Sequence, residues 1–310
     1  MSTVSTGAKL LRSALPDPER PGRVLGAMGR LEQAGSLDGV IETVRKAVRA
    51  VPLGRFRDGL HGRWLGHPVH PLMVQVPIGA WMSSAVLDWT PGGGRASGLL
   101  VAAGLAGAVP AAAAGLVDWA ELEPSQARVG LAHLALTSTA VACYTASLGA
   151  RLTRRPVRGR AYALAGLTAV AAAGAIGGHL AYRQAAGANH AEVVPRLVPP
   201  GWHAVGPLSE LPEGQPVRRM VGEVALVVVR GADGEVRALA DQCSHLGGPL
   251  SQGAVEDDCV RCPWHGSRFR LADGWNVAGP ATAAQPAFEA RVADGGQVQV
   301  RLRTSPAAGH

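Results

Sequence analysis

The chain has 310 residues, enough for about two domains, with 17% charged residues, 47% hydrophobic residues and a formal charge of +7. Soluble domains are about a quarter charged, and the deficit here is not spread evenly, because residues 72–182 hold almost all the long apolar stretches. The basic excess does not point to nucleic acid, because the arginines gather in the N-terminal segment and one short loop, and aromatic residues at 4% are too few for a base-stacking surface.

Residues 1–65 are polar and basic, with scattered Pro and Gly. The first residues hold no apolar stretch, so no cleavable signal peptide is expected. Residues 36–50 place Leu37, Val40, Ile41, Val44 and Val48 at helical spacing, which predicts one amphipathic helix. It either lies on a membrane surface or packs on the segment that follows.

Residues 66–183 carry four apolar runs, at 71–89, 97–117, 129–150 and 161–182. Each approaches the roughly 20 residues that a helix needs to cross a bilayer. Gln75 and Pro77 weaken the first run, and Pro110 lies inside the second. The last three lack the polar faces of a soluble helical core. The expectation is a four-helix all-α transmembrane bundle, in which many Gly and Ala residues let backbones approach closely. Four antiparallel helices would gather His67, His70, His133 and His179 at one end. Ionisable residues in membrane helices are functional candidates. His70, His133 and His179 are therefore candidates for a b-type haem site or a quinone pocket, since two facing imidazoles can ligate a haem between helices. Capping of helix ends and bonding to polar neighbours is the alternative. The loop 151–160 has five Arg and no acid, whereas 118–128 has Asp118, Glu121 and Glu123 against one Arg. The positive-inside rule then puts the Arg loop in the cytoplasm and the C-terminal domain on the non-cytoplasmic side.

Residues 184–201 read as a linker with Pro195, Pro199, Pro200 and Gly201, and residues 202–304 as an all-β domain. Residues 217–239 predict two short strands joined at Asp233-Gly234, and 288–302 repeat the strand–turn–strand pattern. Within this domain lie Cys243-Ser244-His245 and Cys262-Pro263-Trp264-His265, separated by sixteen residues. Two thiolates on one iron and two imidazoles on the other suit a [2Fe–2S] cluster of raised potential. Zinc also takes two Cys and two His, but zinc fingers pair C-x-x-C with H-x₃₋₅-H, whereas each segment here supplies one of each. The other cysteines, Cys143 in an apolar run and Cys259 on a strand, suggest no disulfide framework.

These segments, with Leu271-Ala272-Asp273-Gly274 and Gly279-Pro280-Ala281, resemble the Rieske [2Fe–2S] family over roughly residues 200–303. The resemblance implies three antiparallel sheets, with two loops gripping the cluster through Cys243, His245, Cys262 and His265. The disulfide of the high-potential branch would fall at Gly248 and Trp264, so the likeness is to the ferredoxin-type branch. Ser267 matches a Ser that donates to cluster sulfur, while Phe269 occupies the position of a donating Tyr. Fewer donors imply a lower potential. Residues 66–89, with Gly-His-Pro-x-His-Pro and Pro-Ile-Gly, resemble a family of uncharacterised bacterial four-helix membrane domains. Rieske oxygenases hold a substrate iron by two His and a carboxylate in a further domain. Only His310 follows His265, so an oxygenase catalytic subunit is not expected. The combined expectation is a mixed two-domain chain, a transmembrane bundle followed by an all-β Rieske domain. It would serve as a membrane-anchored one-electron transfer protein, with the lipid bilayer and a redox partner protein or quinone as partners. A subunit of a quinol- or haem-linked membrane oxidoreductase, or a redox sensor, are the alternatives.

Overall fold

The computed structural model describes residues 23–303; residues 1–22 and 304–310, with His310, lie outside them. Helices α1 (Arg23–Glu32), α2 (Asp38–Ala50) and α3 (Arg55–His61) come first. They are followed by α4 (His70–Met73), α5 (Gln75–Leu87), α6 (Gly94–Trp119), α7 (Pro124–Leu152), α8 (Pro156–Gly178) and the one-turn α9 (Val194–Leu197). A π-helical turn, His179–Arg183, extends α8. Pro124 and Pro156 open α7 and α8, where a missing N–H costs nothing. Glu123 and Gln126 close a reciprocal cap around the start of α7.

Among the described residues, three helices are long and apolar enough to cross a membrane: α6, α7 and α8 with its π turn, at 26, 29 and 28 residues. The first apolar run departs from the expected single helix over 71–89. It forms one-turn α4 and the 13-residue α5, interrupted at Val74. Pro77 is the cause, because it lacks the N–H that would bond the Met73 carbonyl. At 1.5 Å per residue α5 alone is only about 20 Å long.

The long helices form two hairpins, α5–α6 and α7–α8, and the second repeats the first. His70, Trp81, Ser84 and Asp88 recur 63 positions later as His133, Tyr144, Ser147 and Arg151. Matched residues meet each other. The His70 and His133 rings are 6.2 Å apart and perpendicular. Trp81 stacks on Tyr144 at 4.1 Å. Arg151 donates to both Asp88 oxygens at 2.8 and 2.6 Å. The partner helices match as well, 62 positions apart. His70 Nδ1–H donates to the Ala111 carbonyl at 2.8 Å, as His133 Nδ1–H does to that of Ala173 at 2.9 Å. Gly104 lies under Trp81 as Gly166 lies under Tyr144; a Cβ would come within 2.2 and 2.8 Å of those rings. A pseudo-twofold axis therefore runs through the helical domain, between two like histidines and between pairs that differ, Trp81 with Tyr144 and Asp88 with Arg151.

Residues 23–61, expected as a tail with one helix, hold α1 to α3, and these pack over one end of the bundle. Ile41 of α2 is buried against Trp119 and Ala127, whereas Val40, expected on the same face, is 54% exposed. Arg128 forks onto Asp38, with both contacts at 2.7 Å. Buried His61 pairs its Nδ1 with Asp118 at 2.8 Å.

Ten strands follow: β1 (His203–Pro207), β2 (Pro216–Val221), β3 (Val224–Arg230), β4 (Val236–Ala240), β5 (Ala254–Glu256), β6 (Cys259–Arg261), β7 (Arg268–Arg270), β8 (Asn276–Ala278), β9 (Ala287–Val292) and β10 (Gln297–Leu302). They make two antiparallel sheets among the described residues, ordered β1-β10-β9-β4-β3-β2 and β5-β6-β7-β8. Three sheets were expected. The difference is a short pairing, Ala238 with Phe288 and Leu239 with Ala287, which joins two ladders into one sheet. Residues 217–239 hold parts of three strands rather than two, because a two-residue turn at Gly222-Glu223 adds a hairpin, with Gly222 at φ +58°. Strand β3 is buried on both faces: Leu226 and Val228 enter one core, Val227 and Val229 the other. Its unbroken apolar run follows from that.

Candidate cluster site

Two loops present the motif residues. The first joins β4 to β5 and carries Cys243 and His245; the second joins β6 to β7 and carries Cys262 and His265. They share one hydrogen-bond plan. In the first, Cys243 N–H donates to the Gly248 carbonyl at 2.9 Å and Gly247 N–H to the Cys243 carbonyl at 2.8 Å. In the second, Cys262 N–H donates to Ser267 at 2.8 Å and Gly266 N–H to Cys262 at 3.1 Å. Gly247 and Gly266 hold the matching positive φ, +79° and +73°. Each loop thus folds back over its own cysteine.

Residues without a motif signature fix the loops from behind. Buried Gln285 accepts from Ser244 N–H at 2.9 Å and donates to the Ala240 and Gln242 carbonyls at 2.9 and 2.7 Å. Asp241 accepts from Ser251 N–H at 2.6 Å. Behind the second loop, Ser267 Oγ accepts from Ala281 N–H at 3.1 Å, leaving its hydroxyl proton free to donate elsewhere. Asn276 donates to the Ala281 carbonyl at 2.7 Å. Gly279, at φ +92°, runs so close to Ser267 that a Cβ would lie 2.6 Å from its Cα. Phe269 is fully buried in the core cluster that also contains Cys243 and Cys262.

The side chains converge as two pairs. The thiols of Cys243 and Cys262 are buried together and hydrogen-bonded to one another. That bond, with the N–H groups of Trp264 and His265, lowers the Cys262 thiol to about 6, while Cys243 is pushed up. The His245 and His265 rings stand 5.0 Å apart and perpendicular. Burial first, then the neighbouring His265, pushes His245 down to about 3, and burial lowers His265 as well. Both imidazoles are therefore neutral near pH 7, the form that binds metal. His245 Nδ1 is buried with no hydrogen-bond partner, a costly state that a metal bond would relieve. Among the described residues, no three His, Cys, Asp or Glu side chains converge as a mononuclear site requires. One thiol pair and one imidazole pair are the donor set that a [2Fe–2S] cluster of mixed ligation takes.

Gly248 and Trp264 adjoin: a Cβ at Gly248 would lie 2.9–3.0 Å from the Trp264 ring and 3.1 Å from Cys262 Sγ. The positions expected for a disulfide are thus neighbours, occupied by a side chain of zero size and a large one. Trp264 is 51% exposed.

The site faces the helical domain. Gly279 N–H donates to Asp58 at 3.2 Å, the Arg63 guanidinium donates to the Val277 carbonyl, and His190 N–H donates to the Ser244 carbonyl at 3.0 Å. Of the helical histidines, the structure brings His70 and His133 together. His179 bonds Glu32 at 2.8 Å. His133 lies more than two turns inside α7, deeper than expected, because the helix already begins at Pro124.

Residues 201–289 match the Rieske [2Fe–2S] domain, and residues 66–190 match a domain described as a predicted membrane protein (DUF2231). The anthranilate 1,2-dioxygenase ferredoxin subunit of Burkholderia cepacia is 37% identical over 101 residues, 33% of this chain and 92% of that protein. A probable 3-ketosteroid-9-alpha-monooxygenase oxygenase component of Rhodococcus rhodochrous is 37% identical over 70 residues, but the chain spans only 18% of its length. The ferredoxin of carbazole 1,9a-dioxygenase from Nocardioides aromaticivorans IC177 aligns over 33% of this chain and 98% of its own, at 29% identity and a TM-score of 0.31.

Proposed function

Through its C-terminal domain the chain belongs to the Rieske [2Fe–2S] family, and we propose that it is a membrane-anchored one-electron carrier of ferredoxin type. In this reading Cys243 and Cys262 hold one iron, and His245 and His265 hold the other. The buried, unpartnered His245 Nδ1 between two loops of identical hydrogen-bond plan is the observation that carries the assignment. The cluster supplies reversible one-electron chemistry. The protein excludes water from the thiol pair, keeps both imidazoles neutral and aims backbone N–H groups at Cys262 Sγ. The match to a dioxygenase ferredoxin subunit supports a redox protein as partner. Absorption and EPR spectra of the intact protein, oxidised and reduced, test this: a rhombic signal on reduction is expected, and its absence would overturn the reading.

The helical domain is the anchor in this proposal. Three helices have the length to cross, and the repeat makes α4–α5 the counterpart of α7. That correspondence supports four crossings, in two hairpins of like orientation. The Arg-rich loop 151–160 then lies in the cytoplasm and the Rieske domain on the opposite side. A second reading concerns the helical histidines. His70 and His133 both donate Nδ1–H to a backbone carbonyl, which leaves Nε2 of each as a free acceptor. A b-type haem or a quinone held there would make the chain a subunit of a membrane oxidoreductase. A Soret band in the purified protein would favour haem.

A further inference from the structure

Between the helical domain and the second cluster loop lies a cleft of about 600 Å³. The helices contribute Arg49, Arg57 and Glu121 to its wall, and the β domain contributes Arg261, Trp264 and His265. The charges are unequally satisfied. Glu121 is committed to Arg49, whose Nη2 and Nε donate to it at 2.8 and 3.3 Å. Arg57 spends Nη2 on the carbonyls of Val48, Arg49 and Val51 at the end of α2. Its Nη1 is buried and has no partner. Arg261 has no side-chain hydrogen bond and no carboxylate partner among the described residues, and it lies near Gly266, where a Cβ would be 3.7 Å from its guanidinium.

Two guanidinium groups without an anion, Arg57 half-buried and Arg261 exposed, therefore line a cleft of the size that takes a small molecule. An unpaired buried donor is costly, and the guanidinium fork matches a carboxylate in geometry and charge. The half-exposed Trp264 indole offers a flat apolar surface in the same cleft, beside the His265 ring at 6.4 Å. We propose that this cleft binds a planar aromatic carboxylate, its carboxylate between Arg57 and Arg261 and its ring against Trp264. The occupant lies beside the His265 ring, so a cluster held by that imidazole would register its presence. An anion there disfavours the more negative reduced cluster and lowers its potential. This inference rests on the ligand assignment proposed above.

Benzoate is the probe, and full-length protein in detergent is the sample. EPR of the reduced protein without benzoate first establishes the cluster; a missing rhombic signal would refute the ligand assignment rather than the cleft. With the signal present, benzoate should shift its g values saturably and quench tryptophan fluorescence over the same concentration range. Arg261→Gln should keep the benzoate-free spectrum and raise the apparent Kd tenfold or more. Arg57→Gln should do the same, and Arg261→Gln decides the matter if loss of the α2 contacts unfolds that variant. Benzamide, of the same shape but neutral, should bind at least tenfold more weakly than benzoate. No saturable shift, an unchanged Kd in Arg261→Gln, or equal binding of inorganic phosphate would overturn the proposal.

Discussion

Asp88 and Arg151 join the two helical hairpins, and replacing one without the other should be far worse than replacing both. Their side chains are 5% and 9% exposed, and Ser97 adds a hydrogen bond to Asp88 at 2.8 Å. Exposed ion pairs contribute about 0–1 kcal/mol, but stranding one member of a buried pair costs about 3–5 kcal/mol. Asp88→Asn keeps the shape and strands the Arg151 charge, so a loss of about 3 kcal/mol is expected. Arg151→Met strands Asp88 less completely, because Arg160 remains 4.0 Å away and half-exposed; about 2 kcal/mol is expected. Leucine at both positions removes both charges and should fall within about 1 kcal/mol of the wild type. The assay is SDS-induced unfolding in mixed micelles, followed by helical circular dichroism, with Asp88→Leu and Arg151→Leu as the singles that complete a double-mutant cycle with the double-leucine variant. A coupling below about 0.5 kcal/mol, with the double-leucine variant no better than the singles, would show that the pair is solvated and refute the reasoning.

Three further outcomes follow from the cluster and the fold. Cys243→Ser or His265→Ala should abolish the rhombic EPR signal, and a full wild-type signal in either would refute the ligand assignment. Phe269→Tyr should raise the midpoint potential, since a hydroxyl in that buried position can donate toward cluster sulfur; a differential hydrogen bond of about 1 kcal/mol corresponds to roughly 40 mV for one electron. Ser267→Ala should lower it by a similar amount, and redox titration by EPR that finds both unchanged would remove these side chains from the potential argument. Reporter fusions near positions 20, 155 and 305 should give matching signals at 20 and 305 and the opposite signal at 155; opposite signals at 20 and 305 would exclude four crossings.

The candidate ligands were legible because each pair lies within four residues, and the Gly turns that fold the loops adjoin them. The strand run at β3 was legible for the same local reason. Gln285, Asp241 and Asn276 were not, because their role depends on contacts such as that between Ser244 and Gln285, which no local pattern marks. The Arg57–Arg261 cleft brings together residues about two hundred positions apart. The helical repeat is written in the sequence as H-x₁₀-[WY]-x₂-S-x₃-[DR], but apolar residues of similar size surround it and hide the period. The break at Val74 had a visible cause in Pro77, whose effect depends on which carbonyl is left without a donor.

The twofold relation between the hairpins bears on how a newly made chain assembles. Were both halves alike on the axis, a hairpin from one molecule would suit its counterpart in another as well as its own. Here the two histidines are alike but two other axial pairs differ: Asp88 faces Arg151, and Trp81 faces Tyr144. Two first hairpins meeting would oppose acid to acid, and two second hairpins base to base. Repulsion thus rejects both like pairings and admits only unlike halves. The short stretch 120–123 between α6 and α7 keeps those unlike halves in one molecule. The same asymmetry makes each half a poor self-associating unit, so separately expressed hairpins should recombine as a heterodimer in preference to either homodimer.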